Sequence, residues 1–255
     1  MTRLITLMWI FARQSFLEQM AWRSFLVTIV LEKAVTPLVG LAVWRVALPD
    51  SDAISRYYVA VLLVQLLTVS YEHHTLANRV YDGTLTHELV KPIPAVTVFA
   101  GGALADRLWH LLIGLPLIAV LWWGSGGLDW RDLAIAVPAI VLAMMMRFLM
   151  TWSLALTACW SQQAHGAVGF GETLLFLLGG IAVPLALMPD ALEPVARALP
   201  FAAMLGFPAE MASGGLDGDE IVIGYLLQVA WLGVFAWLAG AMWRAGLPRF
   251  AAVGG

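Results

Sequence analysis

The chain has 255 residues, 61% of them hydrophobic and only 12% charged, with a net charge of −3. Soluble globular domains run at roughly 45–50% apolar and about 25% charged, so a water-soluble fold is excluded. Disorder is excluded by the same apolar content, which leaves an all-α integral membrane protein with a mean hydropathy of +0.85.

Residues 2–21 come first in chain order. Arg3 followed by an apolar run mimics a secretory leader, but Arg13 ends the run and no small-x-small cleavage site follows. Wound as a helix, Leu4, Ile5, Met8, Phe11 and Phe16 share one face. Arg3, Thr6, Arg13, Gln14 and Glu18 share the other, with Leu7, Ile10 and Leu17 spoiling its polarity. The reading is an interfacial amphipathic helix on the inner leaflet. Six apolar runs follow, at about 25–48, 54–71, 108–123, 133–160, 173–188 and 221–243. Each approaches the ~20 residues that a helix needs to cross a bilayer. Between the second and third lies a polar inner loop, 72–107, in which Gly83 breaks the chain. Two helical turns are expected over 84–90 before Pro92 and Pro94 stop them. The outer stretch 189–220 is too apolar for a solvated loop and is punctuated by Pro and Gly. It is read as a semi-buried helical hairpin, because backbone at that depth must be buried or line a cavity.

Six spans put both termini on one side. With the termini inside, the inner face holds Arg3, Arg13, Arg23, Arg79, Lys91, Arg107, Arg244 and Arg249. The outer face holds only Arg56, Arg131 and Arg197, beside acids such as Asp50, Asp52, Asp129, Asp132, Asp217, Asp219 and Glu220. Positive charge stays on the cytoplasmic side, so both termini are expected there. Twelve Trp and eleven Phe suit the bilayer interfaces. The single cysteine, Cys159, sits in an apolar run and reads as a small buried hydrophobe.

Several residues carry chemical potential. Only Lys33 and Lys91 are lysines, and neither ends a Gly-x-x-x-x-Gly pattern, so no P-loop is present. Ionisable groups inside spans are costly and mark sites or ion pairs. Glu32 and Lys33 stand in the first span, about 100° apart on a helix and so not paired with each other; Glu32 is read as pairing with a basic group on another span and Lys33 as snorkelling, with a transport-path role as the other reading. Arg147 in the fourth span and Glu172 opening the fifth are expected to pair across a short inner loop, with a substrate contact as the other reading. Glu72, His73 and His74, with His87 and Glu88 downstream, lack the i, i+4 spacing of a zinc helix, and no metal site is assigned. His110 and His165 read as packing or loop residues, and the turn 161–163 as polar without a catalytic partner. Gln65 and Gln228 are expected to bond between helices, and Ala236 with Gly240 to permit close helix contact.

This organisation resembles ABC type-2 permeases, the membrane subunits of ATP-binding-cassette exporters, in their small six-span variety. The resemblance rests on Gly83-x-Leu85-x-x-x-Leu89-x-x-Pro92-Ile93 inside and on the outer run Pro189, Leu199-Pro200-Phe201, Pro208 and Gly214. It implies a substrate path in this chain and energy from a separate ABC ATPase dimer, which would hold ATP and Mg. It also implies a second permease, identical or homologous, in a bacterial inner membrane, with lipid but no nucleic acid as further partner. The path would lie between subunits, lined by the first, second and fifth spans. By the same resemblance, Asp82, Gly83, Leu85, Glu88, Leu89, Lys91 and Pro92 form a coupling helix that docks in the ATPase. There Leu85 and Leu89 would be the apolar anchor, and Glu88 and Lys91 the charged contacts. The chain would be no enzyme and would carry no cofactor of its own. The other readings are a polytopic enzyme acting on lipid through Glu72, His73, His74 and His87, and a proton-driven secondary transporter using Glu32 or Glu172.

Overall fold

The computed structural model describes residues 2–48, 51–124 and 127–253, and among these every regular element is helical. The side chains of Arg3, Arg23 and His73, and all of Asp50, lie outside the described set. The helices are α1 (Thr2–Gln19), α2 (Arg23–Ala47), α3 (Asp52–Thr68), α4 (Glu72–Tyr81), α5 (Thr86–Leu89) and α6 (Ala95–Gly124). They continue as α7 (Trp130–Leu156), α8 (Ala164–Leu178), α9 (Glu193–Ala198), α10 (Phe207–Ala212) and α11 (Gly218–Val253).

Among the described residues, four helices are long and apolar enough to cross a membrane: Leu26–Ala47, Ala95–Trp123, Trp130–Cys159 and Gly218–Phe250. Prolines 37, 116, 138 and 248 stand inside them, as membrane helices tolerate. The other two expected spans are shorter, with 17 residues in α3 and 15 in α8. At 1.5 Å per residue α3 is about 25 Å long, a little under the ~30 Å hydrocarbon core. It is largely enclosed: Tyr58 to Val64, Leu66 and Thr68 are buried among α2, α6, α7 and α10. Its neighbours come close because glycines admit them. A Cβ on Gly114 of α6 would strike Leu66, and one on Gly40 of α2 would lie 2.5 Å from the Tyr58 ring.

α1 packs along α6 rather than standing apart. A Cβ on Gly101 would sit 2.6 Å from Phe11 Cβ and 2.9 Å from the Met8 carbonyl, so the two backbones nearly touch there. The packed stripe is Met8, Phe11, Ala12, Ser15, Phe16 and Gln19, while Leu4, Ile5, Trp9, Ile10 and Leu17 are exposed. The face assignment read from the sequence is corrected accordingly: Leu4 and Ile5 do not join the packed face, and Ala12 does.

Two boundaries also move. α6 begins at Ala95, so the expected inner loop shrinks and Asp106 and Arg107 lie inside the helix. α8 begins at Ala164 and stops at Leu178, where Gly180 takes a φ of +90°. The apolar run continues, but the backbone does not stay helical, and buried carbonyls there need donors. Tyr57 Oη donates to Gly180 O at 2.8 Å, Tyr58 Oη to Ile181 O at 3.0 Å, and Trp44 Nε1 to Ala182 O at 3.1 Å. Losing one hydroxyl orphans a buried carbonyl and costs about 1–3 kcal/mol. The Tyr57→Phe/Tyr58→Phe double variant is therefore expected to melt several degrees lower in detergent, and an unchanged melting temperature would refute the role given to these hydroxyls.

Candidate functional site

The connection from α4 to α6 is a clamped turn. Gly83 takes a φ of +72°, and the chain reverses there: Leu85 N–H donates to Arg79 O at 3.0 Å, and Thr86 Oγ1 donates to Gly83 O at 2.8 Å. α5 is a single turn, not the two expected, closed by Val90 N–H on Thr86 O at 3.2 Å. Leu85 is 1% exposed and packs with Leu76, Ala77, Val80, Phe99 and Trp152. Glu88 is buried too, gripped by the Arg79 guanidinium and by Lys91 Nζ at 2.7 Å. Arg79 in turn lies over the Phe99 ring of α6, 5.0 Å from its centre, and Lys91 lies 6.0 Å from that of Phe11 in α1.

The residues expected to dock are therefore divided between the interior and the surface. Leu85 and Glu88 are internal struts, and the outward surface is Asp82, Gly83, Thr84, Thr86, His87, Leu89, Val90, Lys91 and Pro92. Leu89 is 39% exposed and Val90 82%. Burial alone would raise the Glu88 pKa, but the Lys91 hydrogen bond and the Arg79 charge outweigh it and hold the carboxyl below its usual range. Its contribution is therefore complete above the unfolded value and is lost as pH falls through the lower folded one.

Behind the turn lies a band of polar groups. Arg147 is 3% exposed in its side chain and meets Glu172, with Nη2 donating to Oε1 at 2.9 Å and to Oε2 at 3.2 Å. Its Nε and Nη1 have no hydrogen-bond partner among the described residues. Arg107 Nε donates to Val69 O at 3.1 Å and its Nη2 to Met144 O at 3.0 Å, tying α6 to the ends of α3 and to α7. Gln19 Nε2 donates to Asp106 Oδ1 at 2.7 Å, which links α1 to α6. His110 Nδ1 donates to Asp106 O at 2.7 Å, leaving Nε2 to accept the Tyr71 hydroxyl at 3.0 Å. Ser70 Oγ donates to Glu72 Oε2 at 2.6 Å. Sequence reasoning missed Asp106, Arg107, Ser70 and Tyr71. The signal is an Asp-Arg pair beside an apolar stretch, masked because these charges make 95–107 read as part of the polar loop.

Burial pushes the Glu72 carboxyl up to about 7, against the Ser70 hydrogen bond and the Arg107 charge, which lower it. A raised acid favours the folded state most when protonated in both states, so its contribution is lost as pH rises towards 7. Wild-type protein is expected to melt higher at pH 5.5 than at 8, with Glu72→Gln flattening that slope. An identical slope in the variant would remove Glu72 from the account.

The remaining sequence candidates are dispersed. Glu32 is exposed on α2 between Leu31 and Val35, each 54% exposed, and Lys33 is half-buried. Gln228 Nε2 donates to Ala139 O at 3.0 Å and to Ala203 O at 2.9 Å, whereas Gln65 Oε1 is buried with no hydrogen-bond partner among the described residues. Nothing lies within 4 Å of a Cβ on Gly240, so the expected close contact there is absent among the described residues. His165 Nε2 lies 3.2 Å from Asn78 Oδ1. No group of three metal-ligating side chains forms among the described residues.

On the other side, the stretch between α8 and α11 is a packed hairpin. Residues 202–212 are all buried, and Arg197 Nη1 and Nη2 bond Glu210 at 2.7 and 3.2 Å while its Nε bonds Glu193 at 2.9 Å. Trp231 Nε1 of α11 donates to Ala198 O at 2.9 Å.

Residues 16–254 match the family model described as ABC-2 family transporter protein. No curated protein and no solved structure matches the chain.

Proposed function

Since the chain belongs to the ABC-2 family of transporter proteins and is a multi-pass membrane permease, we propose that it is the path-forming half of an ATP-driven exporter. ATP and Mg are held by a separate ABC ATPase dimer, for which ABC-2 permeases generally supply the membrane partner. The membrane is a bacterial inner membrane, crossed six times by α2, α3, α6, α7, α8 and α11. Both ends face the cytoplasm, as the excess of Lys and Arg on that side supports.

The observation that carries the coupling role is the turn between α4 and α6. It presents Leu89 and Val90 outward, while the buried Glu88 braces it between the Arg79 and Lys91 side chains at its flanks. A rigid base with an exposed apolar tip suits transmission of ATPase closure into α4 and α6. Gly83 supplies the reversal into the turn, and Pro92 ends it.

Exposed Glu32 supports a second permease subunit. A carboxylate at membrane depth avoids lipid, so the α2 face is covered by another subunit, identical or homologous, with a hydrated path between them. Affinity purification of the full chain from its native membrane tests the reading. A P-loop ATPase should co-purify, in equal amount with an identical second permease and in twofold amount with a homologous one; recovery of the chain without one would favour a proton-driven transporter or a lipid-acting enzyme.

A further inference from the structure

A cavity of about 250 Å³ opens between the hairpin and the start of α11, lined by Leu185, Ala202, Ala203, Phe207, Leu216, Ile223, Gly224 and Leu227, with Arg197 and Glu220 as its polar groups. Its walls are built by unusual backbone. Ala202–Gly206 is a π-helical turn, a form concentrated at functional sites. A Cβ on Gly224 would strike the Phe207 ring, so the glycine lets that ring close one side. Leu185, fully buried, closes the base.

The charge beside the cavity is unbalanced. Arg197 is already engaged by Glu193 and Glu210, and Glu220 is a third carboxylate, exposed, with one oxygen accepting the Asp217 N–H at 2.9 Å. Glu220 and Glu193 both repel the Glu210 carboxylate. Asp217 and Asp219 lie exposed nearby in sequence. The one cation in the lining, Arg197, is taken up by Glu193 and Glu210, which leaves Glu220 as the carboxylate at the mouth of an apolar chamber, complementary to a cation carried on a hydrocarbon body.

We propose that this cavity is a binding site for an amphipathic amine, its apolar group among Leu185, Phe207, Ile223 and Leu227 and its ammonium against Glu220. The volume is below the ~300 Å³ of small ligand pockets, so it takes one or two fused rings or a short chain rather than a whole large molecule. The ammonium comes from a free lipophilic amine or from an amino-lipid headgroup. The proposal rests on the permease reading only for the depth of the hairpin in the outer leaflet.

The test is calorimetric titration of the full chain in phosphatidylcholine nanodiscs, with empty discs subtracted. Naphthylmethylamine, the neutral naphthylmethanol and the anionic naphthylacetate are compared. A charge-assisted contact makes the amine bind about tenfold more tightly than the alcohol, and the acid weakest. Glu220→Gln should bring the amine to the alcohol's affinity, and Leu227→Trp should fill the chamber and abolish both. Weaker amine binding in discs containing phosphatidylethanolamine supports the site with lipid as occupant, and unchanged binding supports it with a free amine. Equal binding of all three probes, or amine affinity unaltered in both variants, overturns it. Because Glu220 is exposed, an unchanged melting temperature of Glu220→Gln guards against a folding artefact. Neither nucleotide nor ATPase is present, so failure here leaves the permease reading intact, and absence of a co-purifying ATPase leaves the site intact.

Discussion

Leu89→Asp together with Val90→Asp is expected to detach the ATPase and stop transport while the permease stays folded. Both side chains are already exposed at the tip of the turn, so charge there adds no burial penalty to the isolated chain. At a docked interface each would place a desolvated carboxylate in an apolar contact. A central interface anchor is worth about 2 kcal/mol or more, so affinity should fall at least about 30-fold. Leu85→Asp is the informative contrast. Leu85 is sealed among Leu76, Val80 and Phe99, and an unpaired charge there should cost the fold itself more than about 3 kcal/mol. Pull-down and melting curves on the same preparations separate the two outcomes. If Leu89→Asp/Val90→Asp still assembled and transported normally, the docking role would be abandoned.

Arg147→Ala should produce the largest loss of stability among the intramembrane charges. It leaves Glu172, whose side chain is 29% exposed, without its cation; removing one partner of a fully buried pair costs about 3–5 kcal/mol, so about 2–3 kcal/mol is expected for this half-buried one. Replacing both, as Arg147→Met with Glu172→Leu, removes the pair together and should restore most of the melting temperature. Transport by that double variant then separates the two readings of the pair. Full activity makes it structural, and loss of activity at normal stability makes it part of the path. A melting temperature unaltered in Arg147→Ala would contradict the burial argument, since the Arg147 side chain is only 3% exposed.

The long apolar runs were legible because hydropathy alone defines α7 and α11, and the charge-free stretch before Trp243 left no other reading. α6 was cut short for a physical reason. Asp106 and Arg107 look like loop residues until Gln19, Val69 and Met144 supply their partners from distant parts of the chain. The early end of α8 was invisible because hydropathy does not register a positive φ at Gly180 or the phenol groups of Tyr57 and Tyr58 that make it tolerable. At the turn, the four-residue spacing of Leu85 and Leu89 suggested one shared helix face. α5 is only one turn long and Leu85 precedes it, so one leucine points inward and the other outward. The meeting of Arg147 with Glu172 was readable from two charges flanking a short loop; the grip of Arg79 on Glu88, nine residues apart across a reversal, was not.

ATP hydrolysis by the reconstituted chain tests the division of labour most directly. The chain alone in proteoliposomes should hydrolyse no ATP, and addition of the co-purified ATPase should give hydrolysis coupled to transport, with both the complex and the coupling lost in Leu89→Asp/Val90→Asp. Hydrolysis by the chain alone, or transport that proceeds at the same rate without the ATPase, would contradict the account.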